Sequence, residues 1–299
     1  MVAEDPGTKD IHFEAEPDTA DVRAGEPAQP YNQTLGIEVE SVDDQGARIV
    51  LPFAKKNSNP GEILHGGCAA SLAAVGSHTV ARATLAANAG PLVIGQLQVN
   101  YLSAAQAEDV IAQARLLRRG RMLCFVSIEI ATREGKAIAS ATATVRARFD
   151  RPQAELPKTF ADSGETSPGV MAPFIEQQPF IAARGMKIEN MSGGRARISM
   201  PASKENSDSQ GRTHEWAILA LLDTTGAMAA WAETGPGKFK ASTASIQIQT
   251  LAPPPAADIM AYGHCIHRDH EMLWSDAEVV DAETGRVTTR GTVLYRLAP

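Results

Sequence analysis

"GEILHGGCAASLAAVGSH", residues 61–78, decides how the chain is read. A histidine and two glycines lead into a run of small and apolar residues. The run has no proline, and its apolar positions recur at three and four, which predicts a helix over 67–87. That helix is apolar over most of its circumference, so it must be wrapped on nearly every side. The first-turn N–H groups of a helix have no partners within it. Glycine lets another atom approach them closely, and the helix dipole favours negative charge there. Two readings of His65-Gly66-Gly67 follow: a tight entry turn, or a cradle for a developing oxyanion.

Outward from this helix the pattern is strand-rich. "TLGIEVESV" and "ARIVLPFA" precede it as a strand pair; "LVIGQLQVNYL", "DVIAQARLL", "MLCFVSIEIAT" and "AIASATATVRARF" follow it as strands joined by tight turns. Residues 150–179, with five prolines, read as a connector. The order then repeats: "GMKIENMS" and "RARISMPA", a helix in "HEWAILALLDTTGAMAAWAE", then "ASTASIQIQTLAP", "DIMAYGHCI", "EMLWSDAEVVDA" and "VTTRGTVLYRL". His65 corresponds to His214, 149 residues on, and the turn "REGK" (133–136) to "ETGR" (283–286). The chain is an internal duplication of α+β class. Each half is a long central helix against a curved antiparallel sheet: 31–149 and 180–299, with a loose acidic arm over 1–30 and a linker over 150–179.

Composition narrows the function. The 299 residues suffice for two cores. Lys and Arg total 28 against 35 Asp and Glu, a net charge of −7, which does not favour nucleic acid as a partner. Three cysteines, far apart and odd in number, imply no disulfide framework and fit a reducing cytoplasm. The amino-terminal stretch has no apolar signal segment, and no run of about 20 apolar residues suggests a membrane span.

Asp223 carries the chemistry. It lies in the second helix, nine residues after His214, among Leu219, Leu221, Leu222, Ala227 and Met228. A carboxylate there destabilises the fold unless it is paired or exposed. It is either a buried acid bonded to a neighbour or a nucleophile or general base with a shifted pKa. Its counterpart in the first half is Ala74, and the counterpart of Gly66-Gly67 is Glu215-Trp216. One half holds the glycines without the acid, the other the acid without the glycines. If each helix start faces the middle of the other helix, Gly66 and Gly67 meet Asp223 in one composite site, and the mirror site is dead.

These stretches, with "QLQVNYLSAA", resemble the hotdog-fold acyl-CoA thioesterases, in particular the phenylacetate-pathway type within the 4-hydroxybenzoyl-CoA thioesterase superfamily. That family has an Asn six positions before a His-Gly-Gly and an acid nine after the His. Asn59 and His65 match, Ala74 departs, and Asp223 restores the acid in the second half. The two halves in one chain resemble the double-hotdog thioesterases. The resemblance implies hydrolysis of an acyl-CoA without a cofactor or metal. Asp223 would activate water or attack directly, with the backbone N–H of Gly67, and in second place Gly66, on the thioester oxygen. Thr243, with Ser245 as runner-up, would hold the water or the acid, and Asn59 and His65 would fix the loop. It also implies a homo-oligomer, a dimer of double hotdogs, with no nucleic acid or membrane partner.

Two other classes remain open: an acyl-thioester dehydratase or hydratase using His65 and Asp223, and a non-catalytic acyl-CoA-binding or structural double hotdog. Cys68 reads as small-residue helix packing ahead of a nucleophile. Arg118, Arg119 and Arg121 read as a hairpin tip or a phosphate contact. His264, His267 and His270 read as a strand end and a turn.

Overall fold

The computed structural model describes residues 19–85, 90–147 and 155–299. The strands are β1 (Glu38–Val42), β2 (Gly46–Leu51), β3 (Leu92–Tyr101), β4 (Val110–Arg119), β5 (Leu123–Thr132) and β6 (Ala137–Ala147) in the first half. In the second they are β7 (Lys187–Ser192), β8 (Arg195–Met200), β9 (Lys240–Thr250), β10 (Ile259–Asp269), β11 (Met272–Asp281) and β12 (Val287–Ala298). All twelve form one sheet in the order β1-β2-β4-β5-β6-β3-β9-β12-β11-β10-β8-β7, so the second half runs through the pattern of the first in reverse. The halves join where β3 and β9 pair antiparallel, with Gln98 opposite Gln247. Those two residues are also 149 positions apart, so the duplication has its centre at this pair.

Two helices fill the sheet's concave side. Helix α1 (Gly66–Thr84) packs on β2, β3, β4, β5 and β6, and α2 (Glu215–Thr234) packs on β7, β8, β10, β11 and β12. Both are buried nearly all round, which is what a helix without a polar face requires. Their small residues let them touch directly. A Cβ placed on Gly67 would sit 2.5 Å from Ala220 Cβ and 2.9 Å from its Cα, so Gly67 sets the closest approach of the two helices.

Three sequence expectations need correction. Residues 1–18 lie outside the described residues, but 19–30, expected in a loose arm, are packed: helix Thr19–Gly25 seats Val22, and Glu26 is buried against His78 Nδ1 at 2.6 Å. Of the linker, 150–154 lie outside the described residues. The remainder is held down on the β11–β12 surface that faces away from α2: the Phe160 N–H and the Thr159 hydroxyl donate to Glu278, and Arg290 donates to the Lys158 carbonyl. Finally, β10 continues to Asp269, with His267 opposite Trp274, so only the residues around His270 form the turn.

Candidate active site

Each central helix begins at a histidine cap. His65 Nδ1 accepts the Gly67 N–H at 2.9 Å, and His214 Nδ1 accepts the Trp216 N–H at 3.2 Å. A cap must offer a lone pair, so both rings must be neutral. Burial depresses His65 to about 3 and His214 to about 4, which keeps them so at ordinary pH. An aromatic ring from the other half lies on each: Phe180 on His65 at 4.0 Å and Tyr31 on His214 at 5.3 Å. The entry loops are tied alike. Asn57 Nδ2 donates to the Leu35 carbonyl at 2.7 Å, and Asn206 Nδ2 donates to the Arg184 carbonyl at 2.8 Å. The Asn57 and Asn206 carbonyls accept the His65 and His214 N–H groups.

This capping corrects one expectation. The Gly67 N–H is committed to His65, and a Cβ at Gly67 would strike Ala220; its part is capping and packing. Gly66 is the open position. Among the described residues its N–H has no hydrogen-bond partner. A Cβ placed on it would lie 2.6 Å from Asp223 Oδ2 and 3.5 Å from Tyr101 Oη. The missing side chain therefore opens onto the carboxylate of the other half.

Asp223 is 3% exposed and bonded to Thr243, whose Oγ1 donates to Oδ1 at 2.9 Å. Burial raises its carboxyl to about 6, against the opposing pull of the Thr243 hydroxyl. Thr243 reaches it because of a bulge. Ile246, Ile248 and Thr250 face the helices, so strict alternation would turn Thr243 outward with Gln247. The register of β9 slips between Thr243 and Ser245, and the extra residue brings Thr243 inward. Ser245 keeps the outer parity, so the runner-up drops out. A matching slip in β3, between Ile94 and Gln96, turns the counterpart Ile94 inward.

Asn59, expected to fix the loop, makes no side-chain hydrogen bond among the described residues; the buried Asn57 does that work. Tyr101, Asn57 and Phe180 were all missed. The signal was available: each has a counterpart 149 residues away, in Thr250, Asn206 and Tyr31.

The counterpart position is filled from within. Glu215 stands where Gly66 stands in the first half. Its Oε1 accepts the Thr250 hydroxyl at 2.7 Å and the Ile94 N–H at 3.2 Å. Burial raises this carboxyl to about 7. Ala74 and Trp216 are buried beside it. Cys68 is buried with its thiol pushed far up by desolvation, in keeping with a packing role. A surface cleft lined by Ser41, Asp43, Gln45, Gln113 and Arg115 shares no residue with Asp223's surroundings.

Residues 54–146 match the sequence family described as acyl-CoA thioesterase N-terminal domain. The medium/long-chain acyl-CoA thioesterase YigI of Escherichia coli is 32% identical over 131 residues, spanning 38% of this chain and 83% of YigI. The chain belongs to the hotdog-fold acyl-CoA thioesterase family. A protein with a hot dog fold from Alicyclobacillus acidocaldarius superposes with a TM-score of 0.64 at 16% identity, covering 87% of this chain and 95% of that one. The tesB protein of Mycobacterium avium subspecies paratuberculosis gives 0.61 at 13% identity, covering 94% of this chain and all of its own. At such identities the likeness is one of fold.

Proposed function

We propose that this chain is a double hotdog that hydrolyses an acyl-CoA to the free acid and CoA, at one composite site built from both halves. The carrying observation is the buried carboxylate of Asp223 at the open, glycine-lined start of the opposite helix. The thioester carbonyl approaches the Gly66 N–H, which has the geometry to take up negative charge as it develops. Asp223 removes a proton from water as the water oxygen bonds to the carbonyl carbon. The tetrahedral intermediate then expels the CoA sulfur, which takes up a proton. In the alternative, Asp223 itself attacks and the resulting anhydride is hydrolysed. Thr243 orients the carboxylate in either route. The halves correspond to 31–149 and 180–299.

The second pseudo-site, with Glu215, Trp216 and Ala74, is inactive in this reading. His65 does not fit a dehydratase base, since its Nδ1 is occupied by the Gly67 N–H and burial keeps the ring neutral. By analogy with YigI, named for medium and long acyl chains, such chains are the first substrates to try. Pairing of two chains into a dimer and a cytoplasmic location complete the proposal; no described helix is long and apolar enough to cross a membrane. The test is thiol release from a panel of acyl-CoAs by the wild type and by Asp223→Asn. The proposal requires release by the wild type and its loss in a folded variant. Wild-type inactivity on every thioester, or full activity in Asp223→Asn, refutes it.

A further inference from the structure

The Gly66–Gly67 peptide is held at both edges. Its carbonyl accepts the Tyr101 hydroxyl at 3.1 Å, and its N–H donates to His65 Nδ1 at 2.9 Å. A peptide group is a rigid plane, so two such bonds fix its orientation. The grip has a purpose here, because two successive glycines leave the backbone wide conformational freedom. The N–H one residue upstream, that of Gly66, inherits its direction from this plane through the φ and ψ of Gly66.

The second half supplies an internal control. Helix α2 starts with the same histidine cap, yet the hydroxyl of Thr250, the counterpart of Tyr101, goes to the Glu215 side chain and not to a backbone carbonyl. The fold therefore forms a helix start of this kind without the carbonyl grip. The grip occurs at the start that has glycines and faces Asp223. Tyr101 also reaches the site itself, since its Oη and Asp223 Oδ2 border the same empty point beside Gly66. Burial and the Asp223 charge both raise the phenol well above its ordinary value, so it stays a donor at any working pH.

We propose that Tyr101 is a positioning residue: by gripping the Gly66 carbonyl it holds the Gly66–Gly67 peptide so that the Gly66 N–H stays aimed at the reacting thioester oxygen. This rests on the hydrolysis proposed above. The experiment compares Tyr101→Phe with wild type in the full chain, on an acyl-CoA that the wild type hydrolyses. The expected result is a kcat lower by about 10- to 100-fold with KM within about twofold, because the grip serves the transition state more than ground-state binding. Thr250→Val should leave both unchanged. Amide hydrogen exchange read by NMR supplies a second measurement: Gly66 and Gly67 should exchange faster in Tyr101→Phe, with the rest of α1 unaltered. Wild-type kcat in Tyr101→Phe overturns the proposal. So does a loss of kcat accompanied by raised KM and faster exchange along all of α1, since that marks a merely structural role. If the wild type hydrolyses no thioester, the proposed function fails. The exchange measurement then decides by itself whether Tyr101 holds the peptide.

Discussion

Asp223→Asn is the most informative substitution, because activity and stability should move in opposite directions. The carboxyl has an ordinary value of 3.8 and stands at about 6 in the fold. Between those values the folded chain binds more protons than the unfolded one, so stability falls as pH rises through the window. At about 1.4 kcal/mol per pH unit, the ionised carboxylate costs the fold about 3 kcal/mol above pH 6. Asn carries no charge and still accepts the Thr243 hydroxyl through its Oδ1. The variant should therefore match wild type near pH 3.5 and gain stability as pH rises to 6, with a constant advantage above. For a chain of this size that corresponds to a Tm higher by roughly 6 °C at pH 8. Denaturant titrations of both proteins between pH 3.5 and 8, with thiol release measured on the same samples, provide the assay. A stability difference that is independent of pH would refute the argument, as would a variant less stable than wild type at pH 8.

Wild-type kcat should rise with pH through about 6 as Asp223 ionises; Thr243→Val removes the bond that lowers this value, so the acid limb should move to higher pH in a pH–rate profile. Gly66→Ala pushes a methyl group into Asp223 Oδ2 and should abolish hydrolysis with little effect on Tm, whereas Gly67→Ala drives a methyl into Ala220 and should cost about 1–3 kcal/mol in denaturant titrations. Glu215→Gln should stabilise the fold above pH 7 and make no difference below about 4.5, since that carboxyl is raised from 4.5 to about 7; equal melting temperatures at pH 8 would contradict it. Ala74→Asp should lower Tm without adding activity, because the position is fully buried and its counterpart of Thr243 is an isoleucine.

The duplication was legible because helices starting at His65 and His214 repeat the same punctuation, and a polar Asp223 in an apolar helix has few explanations. The pairing of Gly66 with Asp223 followed from complementary losses in the two halves. Three features were not legible, each for a physical reason. A histidine that caps its own helix looks the same in sequence as one that meets a substrate, so the Gly67 N–H was taken as free. Period-two reasoning fails across a bulge, and only the register between β9 and β12 separates Thr243 from Ser245. Tyr101 lies 35 residues from the carbonyl it holds, and nothing local to "VNYL" points to that bond.

The join between β3 and β9 has a consequence for synthesis. While the first half leaves the ribosome, the inner edge of its sheet has no partner until β9 emerges more than a hundred residues later. An open edge is a template for any strand that fits. The strand nearest in kind is β3 of another nascent chain, so the early hazard is a premature pair of first halves. Such a pair would contain two helix starts with glycines and two alanines at position 74, and no acid at either. The second half thus terminates an edge as well as supplying the carboxylate, and a chain that stalls before β9 would yield assemblies with the shape of the protein and none of its chemistry.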